Sequence, residues 1–216
     1  MLHVILTSYN RPKLLQRAVN SILAQTDDRW HLYLMDDNSN KPVLDYLKTL
    51  DDKRITINRH KTIYKQRQES SRYAALINEV LPTLKSGVVG YLCDNVEYKP
   101  GLVEAVLSWF EDNPGPGYVT QERDCYRDGK YLGAAVGWGH WATMPNRPGI
   151  SYTVDTIQGH LDHSQVFHKL PVDLKWSEDI ETVTHGDADF YMRLAATYGP
   201  IRCISAIPLT LEHIPK

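Results

Sequence analysis

Three apolar runs, each ending in a polar cluster, limit what this chain can fold into more than any other feature. His3-Val-Ile-Leu6 runs into Thr7-Ser-Tyr-Asn-Arg-Pro12. Trp30-His-Leu-Tyr-Leu-Met35 runs into Asp36-Asp-Asn-Ser39, and Val88-Val-Gly-Tyr-Leu-Cys93 runs into Asp94-Asn95. A strand that delivers hydrogen-bond acceptors at its C-terminal edge puts them where open α/β sheets bind ligands. One such cluster arises easily by chance. Three in order point to a nucleotide site.

Between these runs the apolar spacing changes from strand-like to helix-like, as βαβ units require. Strand one is expected over Leu2–Thr7. Pro12 then opens a helix, where its missing N–H costs nothing in the first turn. That helix buries Leu14, Leu15, Ala18, Val19, Ile22 and Leu23, a 3.6-residue stripe. Strand two covers Trp30–Met35, a helix over Pro42–Leu50 presents Val43, Leu44 and Leu47, and strand three reads Arg54–Asn58. Lys65–Leu84 reads as one long helix with Tyr73, Leu76, Ile77, Val80 and Leu81 inward. Val88–Cys93, almost unbroken in its apolar character, belongs at the centre of the sheet. A further helix, Pro100–Asp112, stops at Asn113-Pro-Gly-Pro-Gly117. Beyond it, Tyr118–Gly137 reads as a β pair turning at Arg127-Asp-Gly-Lys130, and the Gly-, Pro- and aromatic-rich stretch Trp138–Asp155 as a loop. Ser164–Leu170 reads as a short helix, Asp187–Tyr198 as a longer one and Ile201–Leu211 as a last strand. The expected class is α/β: a Rossmann-like, mainly parallel mixed sheet flanked by helices in a single domain over 1–216. Residues 1–95 would form a nucleotide-binding half and 96–216 an acceptor-binding half.

Composition narrows the function. Lys plus Arg total 24 against 26 acidic residues, and the resulting charge of −2 gives no electrostatic case for general nucleic-acid binding. Cys93, Cys125 and Cys203 are too widely spaced for a disulfide framework or a zinc pattern, which favours a reducing compartment. Met1 leads directly into a strand without the regions of a secretory signal. No apolar run approaches the roughly 20 residues needed to span a bilayer. The expectation is a cytoplasmic protein without a membrane span.

The stretches Thr7–Pro12, Ser21-Ile-Leu-Ala-Gln25 and Asp36–Ser39 resemble the amino-terminal signature of family 2 glycosyltransferases of the GT-A fold. Arg72-Tyr-Ala-Ala-Leu-Ile-Asn78, Asp162-His-Ser164 and Gly186-Asp-Ala-Asp-Phe190 resemble, more narrowly, the spore-coat polysaccharide glycosyltransferases. The resemblance implies a GT-A fold and an inverting transferase that uses a UDP- or dTDP-sugar and a divalent cation, Mn²⁺ or Mg²⁺. The acceptor would be a hydroxyl of a growing surface polysaccharide, a glycan primer or a small glycoside. Without a membrane anchor, a processive polymer synthase is disfavoured.

On this resemblance Asp37 faces the N3–H of a uracil or thymine ring, framed by Thr7 and Tyr9, with Tyr9 able to stack. The plainer reading is that Asp36–Ser39 is a polar turn. Arg67 would lie near the nucleotide, where a guanidinium pairs bidentately with phosphate or hydrogen-bonds the base. Arg72 would serve the substrate, or be a structural partner for Asp94 or Glu69. Asp94-Asn95 stands where the family carries its metal-binding carboxylates, with neutral Asn95 in place of the relative's second carboxylate. A hard cation held against a diphosphate wants anionic oxygens, so binding through this pair should be weak. His213 sits where many such enzymes place a ligating histidine, although a lone histidine near a terminus is more often merely exposed.

Inversion by direct displacement needs a carboxylate facing the acceptor hydroxyl, and Asp187 is the candidate base. Its structural alternative is to cap the helix it precedes. Asp189 and Arg193, four residues apart, should pair on that helix. Asp162 is the second candidate base, and His163 would lie near donor or acceptor. Adjacent Asp162, His163 and Ser164 cannot converge as a hydrolase triad. His160, His163 and His168 lack zinc spacing. Trp138 and Trp141 are acceptor platforms or simply buried. Three rivals remain: a non-catalytic nucleotide-sugar or glycan-binding relative, a nucleotidyltransferase, and a transferase acting on a modified DNA base. Tyr9-Asn-Arg-Pro-Lys13 has no glycine and so argues against the second. The mild acidity argues against the third.

Overall fold

A computed structural model describes residues 1–113, 118–120, 123–127, 130–134, 151–152, 163–179, 186–199, 201–203 and 210–213. The chain opens with β1 (Leu2–Ser8), α1 (Pro12–Leu23), β2 (Trp30–Asp36), α2 (Lys41–Leu47) and β3 (Ile55–Arg59). These pair in parallel, Leu2 against Trp30 and Leu32 against Ile55. After α3 (Tyr64–Glu69) and α4 (Arg72–Val80), β4 (Val88–Cys93) pairs in parallel with the other edge of β1. β5 (Val96–Tyr98), α5 (Leu102–Asp112), β6 (Tyr118–Thr120), β7 (Arg123–Arg127), β8 (Lys130–Ala134) and β9 (Ser151–Tyr152) follow, then β10 (Val166–Lys169), α6 (Gly186–Tyr198), β11 (Ile201–Cys203) and β12 (Thr210–His213). The larger sheet has eight strands in the order β3-β2-β1-β4-β10-β6-β11-β9, and a smaller one runs β5-β12-β7-β8. β4 is therefore central, as its apolar run requires.

Alternation along the strands gives the sheet two cores. Leu2, Val4, Leu6, Leu32, Leu34, Val88 and Leu92 face the stripe of α1 (Leu15, Ala18, Val19, Ile22), together with α2 and α5. Ile5, Met35, Val89 and Tyr91 point the other way, onto α4 and α6. On that face Trp176 stacks on Phe190 (4.5 Å between ring centroids) and meets Tyr91 edge-on at 4.9 Å. Among the described residues no helix is long and apolar enough to cross a membrane.

The structure departs from the sequence expectation at five places. The Lys65–Leu84 helix is broken: Ser70 and Ser71 are extended, and a 3₁₀ turn (Leu81–Thr83) ends the segment. The cause is a long-range pairing. Ser70 bridges Asp179 and the Ser71 N–H donates to the Glu178 carbonyl (2.8 Å). The expected Ser164–Leu170 helix is a 3₁₀ turn followed by β10, which inserts antiparallel between β4 and β6. The expected last strand is two strands in different sheets, β11 beside β6 and β12 between β5 and β7. Ser151–Tyr152, expected in a loop, is strand β9. The β pair is present as β7–β8, with Arg127 opposite Lys130, whereas Tyr118–Thr120 joins the main sheet.

Candidate active site

The strand order reverses between β1 and β4: β2 follows β1 on one side, and β4 lies on the other. At such a switch point the connections diverge and leave a crevice beyond the carboxyl ends of the strands. A cleft of about 300 Å³ opens there. Thr7, Ser8, Tyr9 and Arg11 line it from the end of β1, Asp37 from the end of β2, and Cys93, Asp94 and Asn95 from the end of β4. Arg67, Arg72, Tyr73 and Leu76 line it from α3 and α4.

Two left-handed turns set the lip of this cleft. Asn10 (φ 56°) and Asn38 (φ 63°) adopt a conformation that asparagine tolerates because its short side chain can bond locally. The Asn10 N–H donates to Ser39 Oγ (2.9 Å) and the Asn40 N–H to Asn10 Oδ1 (2.7 Å), tying the exits of β1 and β2 together. Asn38 Nδ2 donates to the Thr62 carbonyl at 2.8 Å. Asp37, 3% exposed, is anchored by its own N–H to the Ser8 carbonyl at 3.0 Å.

The Asp37 carboxylate gathers donors from three directions. Thr62 Oγ1 donates to Oδ1 and an Arg67 nitrogen to Oδ2, while a second Arg67 nitrogen reaches the Asp37 carbonyl. Arg72 donates to Oδ1 through Nη2 (3.2 Å) and Nε (3.4 Å). Arg72 thus partners Asp37 rather than Asp94 or Glu69. The Arg67 guanidinium also lies over the Tyr9 ring, 3.5 Å from its centroid. Asp36, fully buried, accepts from the Ser39 N–H and from Arg59, each at 3.3 Å, and is structural. Thr7, Tyr9, Asp37, Arg67, Arg72, Asp94 and Asn95 therefore converge on one cleft.

Asp94 is buried and accepts from Arg11 (3.2 Å) and, at 3.5 Å, from Ser8 Oγ. Burial pushes its carboxyl above the usual range, while Arg11, a backbone N–H and Ser8 pull the other way. Asn95 directs its amide to the His213 carbonyl (3.3 Å) and accepts the His213 N–H at its own carbonyl (2.7 Å). The His213 ring pairs with Glu97 and with Arg17 (3.3 Å). Among the described residues no group of three or more His, Cys, Asp or Glu side chains is placed to hold a metal. As a cation site, Asp94-Asn95 offers one anionic ligand, so most of the coordination must come from a ligand's own oxygens.

Asp187 lies in the first turn of α6, which begins at Gly186, so it is a helical residue rather than the cap. Its Oδ1 accepts from the Tyr73 hydroxyl at 3.3 Å. Asp189 and Arg193 pair as their spacing predicts, at 2.7 Å. Asp162, Trp138 and Trp141 lie outside the described residues, as does the side chain of His163, whose backbone opens the 3₁₀ turn His163–Gln165. Three contributors were missed in the sequence. Arg11 was visible in the first polar cluster but had no partner there. Helical spacing places Tyr73 in the core and gives no sign of its hydroxyl's partner. Thr62 carries no local signal, because what places it is a loop crossing over Asp37.

Comparison with known proteins agrees with this architecture. Residues 3–169 match the family model for glycosyl transferase family 2. Protein CgeD of Bacillus subtilis (strain 168) is 30% identical over 200 residues, which cover 88% of this chain and 45% of CgeD. S. aureus TarS 1–349 in complex with UDP-GlcNAc has a TM-score of 0.75 at 12% identity, covering 100% of this chain and 59% of that one. The same TarS segment in complex with UDP gives a TM-score of 0.71 at 14% identity, covering 99% and 60%. This chain therefore spans under half of CgeD and about three-fifths of the TarS segment. The TarS likeness is one of fold, and that fold is GT-A. These findings bear on the family and the fold, and the narrower likeness to spore-coat enzymes rests on its motif residues alone.

Proposed function

We propose, since this chain belongs to glycosyl transferase family 2, that it moves a sugar with inversion from a UDP- or dTDP-sugar to a hydroxyl of a polysaccharide or glycan. The observation that carries this reading is the cleft at the β1/β4 switch point, where buried Asp37 faces a concentration of arginines. Residues 1–95 serve the donor and 96–216 the acceptor. That TarS is seen with UDP-GlcNAc and with UDP supports a uridine donor in a cleft of this fold.

In this mechanism Asp37 accepts the N3–H of the pyrimidine, and Thr7 and Tyr9 frame the ring. Arg67 already bridges Tyr9 and Asp37, so its guanidinium is positioned to pass from the base toward the diphosphate. Arg11 and Arg72 add positive charge at the same lip, where charge growing on a leaving diphosphate is stabilised electrostatically. A divalent cation, when bound, would be held by Asp94 with the Asn95 carbonyl and would neutralise part of that charge. Asp187 is the base that takes the acceptor's proton, a contribution of roughly 10²–10⁴ in rate. Asp162 is its alternate, and His163, Trp138 and Trp141 are assigned to donor and acceptor contacts.

A thermal-shift screen of UDP-, dTDP- and GDP-sugars, with and without Mn²⁺, tests the assignment. Stabilisation grows as RT ln(1 + [L]/Kd), so pyrimidine donors should raise Tm while GDP-sugars leave it unchanged. Equal shifts for guanine and pyrimidine donors would remove Asp37 from its role.

A further inference from the structure

Tyr73 joins the cleft to Asp187. It lines the cleft from α4. Its hydroxyl donates to Asp187 Oδ1 at 3.3 Å. The residue before Asp187 is a buried glycine, and a Cβ at position 186 would collide with that hydroxyl. Behind the phenol, the Tyr73 ring meets Trp176 edge-on at 5.8 Å, and Trp176 is itself stacked on Phe190 of α6. The ring is thus held on the core shared by α4 and α6, and its hydroxyl meets Asp187.

We infer that Tyr73 is a catalytic residue, which conveys the acceptor's proton from the cleft to Asp187. The inference rests on the reading of Asp187 as base and deepens it. As the acceptor oxygen bonds to the anomeric carbon, the bond from that carbon to the diphosphate oxygen breaks and leaves its electron pair on the diphosphate. The acceptor's proton passes to Tyr73 Oη, and the phenol's own proton passes to Asp187 Oδ1. Tyrosine ends neutral and Asp187 protonated, so no other reactant is needed. Because each proton moves as the other leaves, the phenol never has to ionise.

The experiment measures nucleotide release by the full chain from a panel of UDP- and dTDP-sugars, comparing wild type, Tyr73→Phe and Asp187→Asn with the fastest donor. Tyr73→Phe keeps the ring and its packing, so a purely structural tyrosine would leave kcat unchanged. The relay predicts a loss of at least about 100-fold in kcat in Tyr73→Phe, the lower end of the range for proton transfer. The donor KM and the nucleotide-induced Tm shift should stay as in wild type. A Tyr73→Phe rate within about threefold of wild type, with Asp187→Asn inactive, overturns the relay and leaves Asp187 as a base that reaches the acceptor directly. An active Asp187→Asn, or no release from any donor by wild type, overturns the underlying reading and the relay with it. If Tyr73→Phe does not fold, Gly186→Ala is the second variant. It keeps both residues but displaces the hydroxyl, so an unchanged kcat there overturns the relay and a lowered one supports it.

Discussion

Asp37, whose side chain is almost fully buried, is held by Thr62, Arg67 and Arg72. In Asp37→Asn the two guanidiniums lose their shared anion, and a pyrimidine N3–H is left with at most a neutral amide oxygen to donate to. A hydrogen bond to a charged group contributes about 1.5–3 kcal/mol, so UDP affinity measured by calorimetry should fall roughly tenfold to a hundredfold. An unchanged Kd would contradict the assignment. Asp94 behaves differently. Its carboxyl is pushed up chiefly by burial, so the folded chain keeps its proton to higher pH than the unfolded chain does. The associated stability is present at acid pH and lost as pH rises through the folded value, which makes the charge a cost at neutrality. Arg11 recovers little of it, being half exposed. Asp94→Asn should therefore melt at the same temperature as wild type or higher at pH 7, with the difference closing below about pH 4, where both side chains are neutral. A lower Tm at pH 7 would show that Asp94 serves the fold rather than a ligand.

At the scale of elements, β10 is the piece on which the second half of the sheet depends. Phe167 lies opposite Gly90 of β4, and a Cβ at 90 would collide with its ring. Gly90→Ala should cost about 1–3 kcal/mol in chemical denaturation, the range for overpacking a filled core. His168, beside Phe167, is buried with Nε2 accepting from the Tyr91 hydroxyl (2.8 Å) and Nδ1–H donating to the Lys169 carbonyl (3.1 Å). Burial pulls its pKa from 6.5 down to about 4. The folded value is depressed, so the unfolded chain takes up the proton first as pH falls. The stability held by neutral His168 is intact above 6.5 and lost between 6.5 and about 4. Between pH 6.5 and 5 wild type should lose about 1–2 kcal/mol more than His168→Gln. Parallel pH curves would contradict this.

These same elements show what the sequence made legible. β1, β2, β4 and α1 were readable because local periodicity and long-range burial agree in them. Val166–Lys169 is too short an apolar run to carry a usable period, and only pairing with β4 and β6 makes it a strand. The break at Ser70-Ser71 was invisible for the same reason, since its cause lies at residues 178–179. In the site, Asp37 and Asp94 could be found because each ends an apolar run. The Tyr73–Asp187 bond spans 114 positions and left no local trace.

At the scale of the molecule, the switch point between β1 and β4 gathers the ends of β1, β2 and β4 with the last turn of α3 and the first turns of α4 into one cleft. Two cores clamp the sheet from both faces, so the strand ends are rigid supports for groups that must meet a ligand in fixed geometry. α6 brings Asp187 to the same region from the far end of the chain, through Tyr73. The most direct measurement is a crystal structure of the chain soaked with UDP. The uracil should lie against Asp37 beside Tyr9, with the diphosphate reaching toward Arg11 and Asp94 and the Tyr73 hydroxyl facing the space beyond it. Density for UDP anywhere other than this cleft would contradict the account.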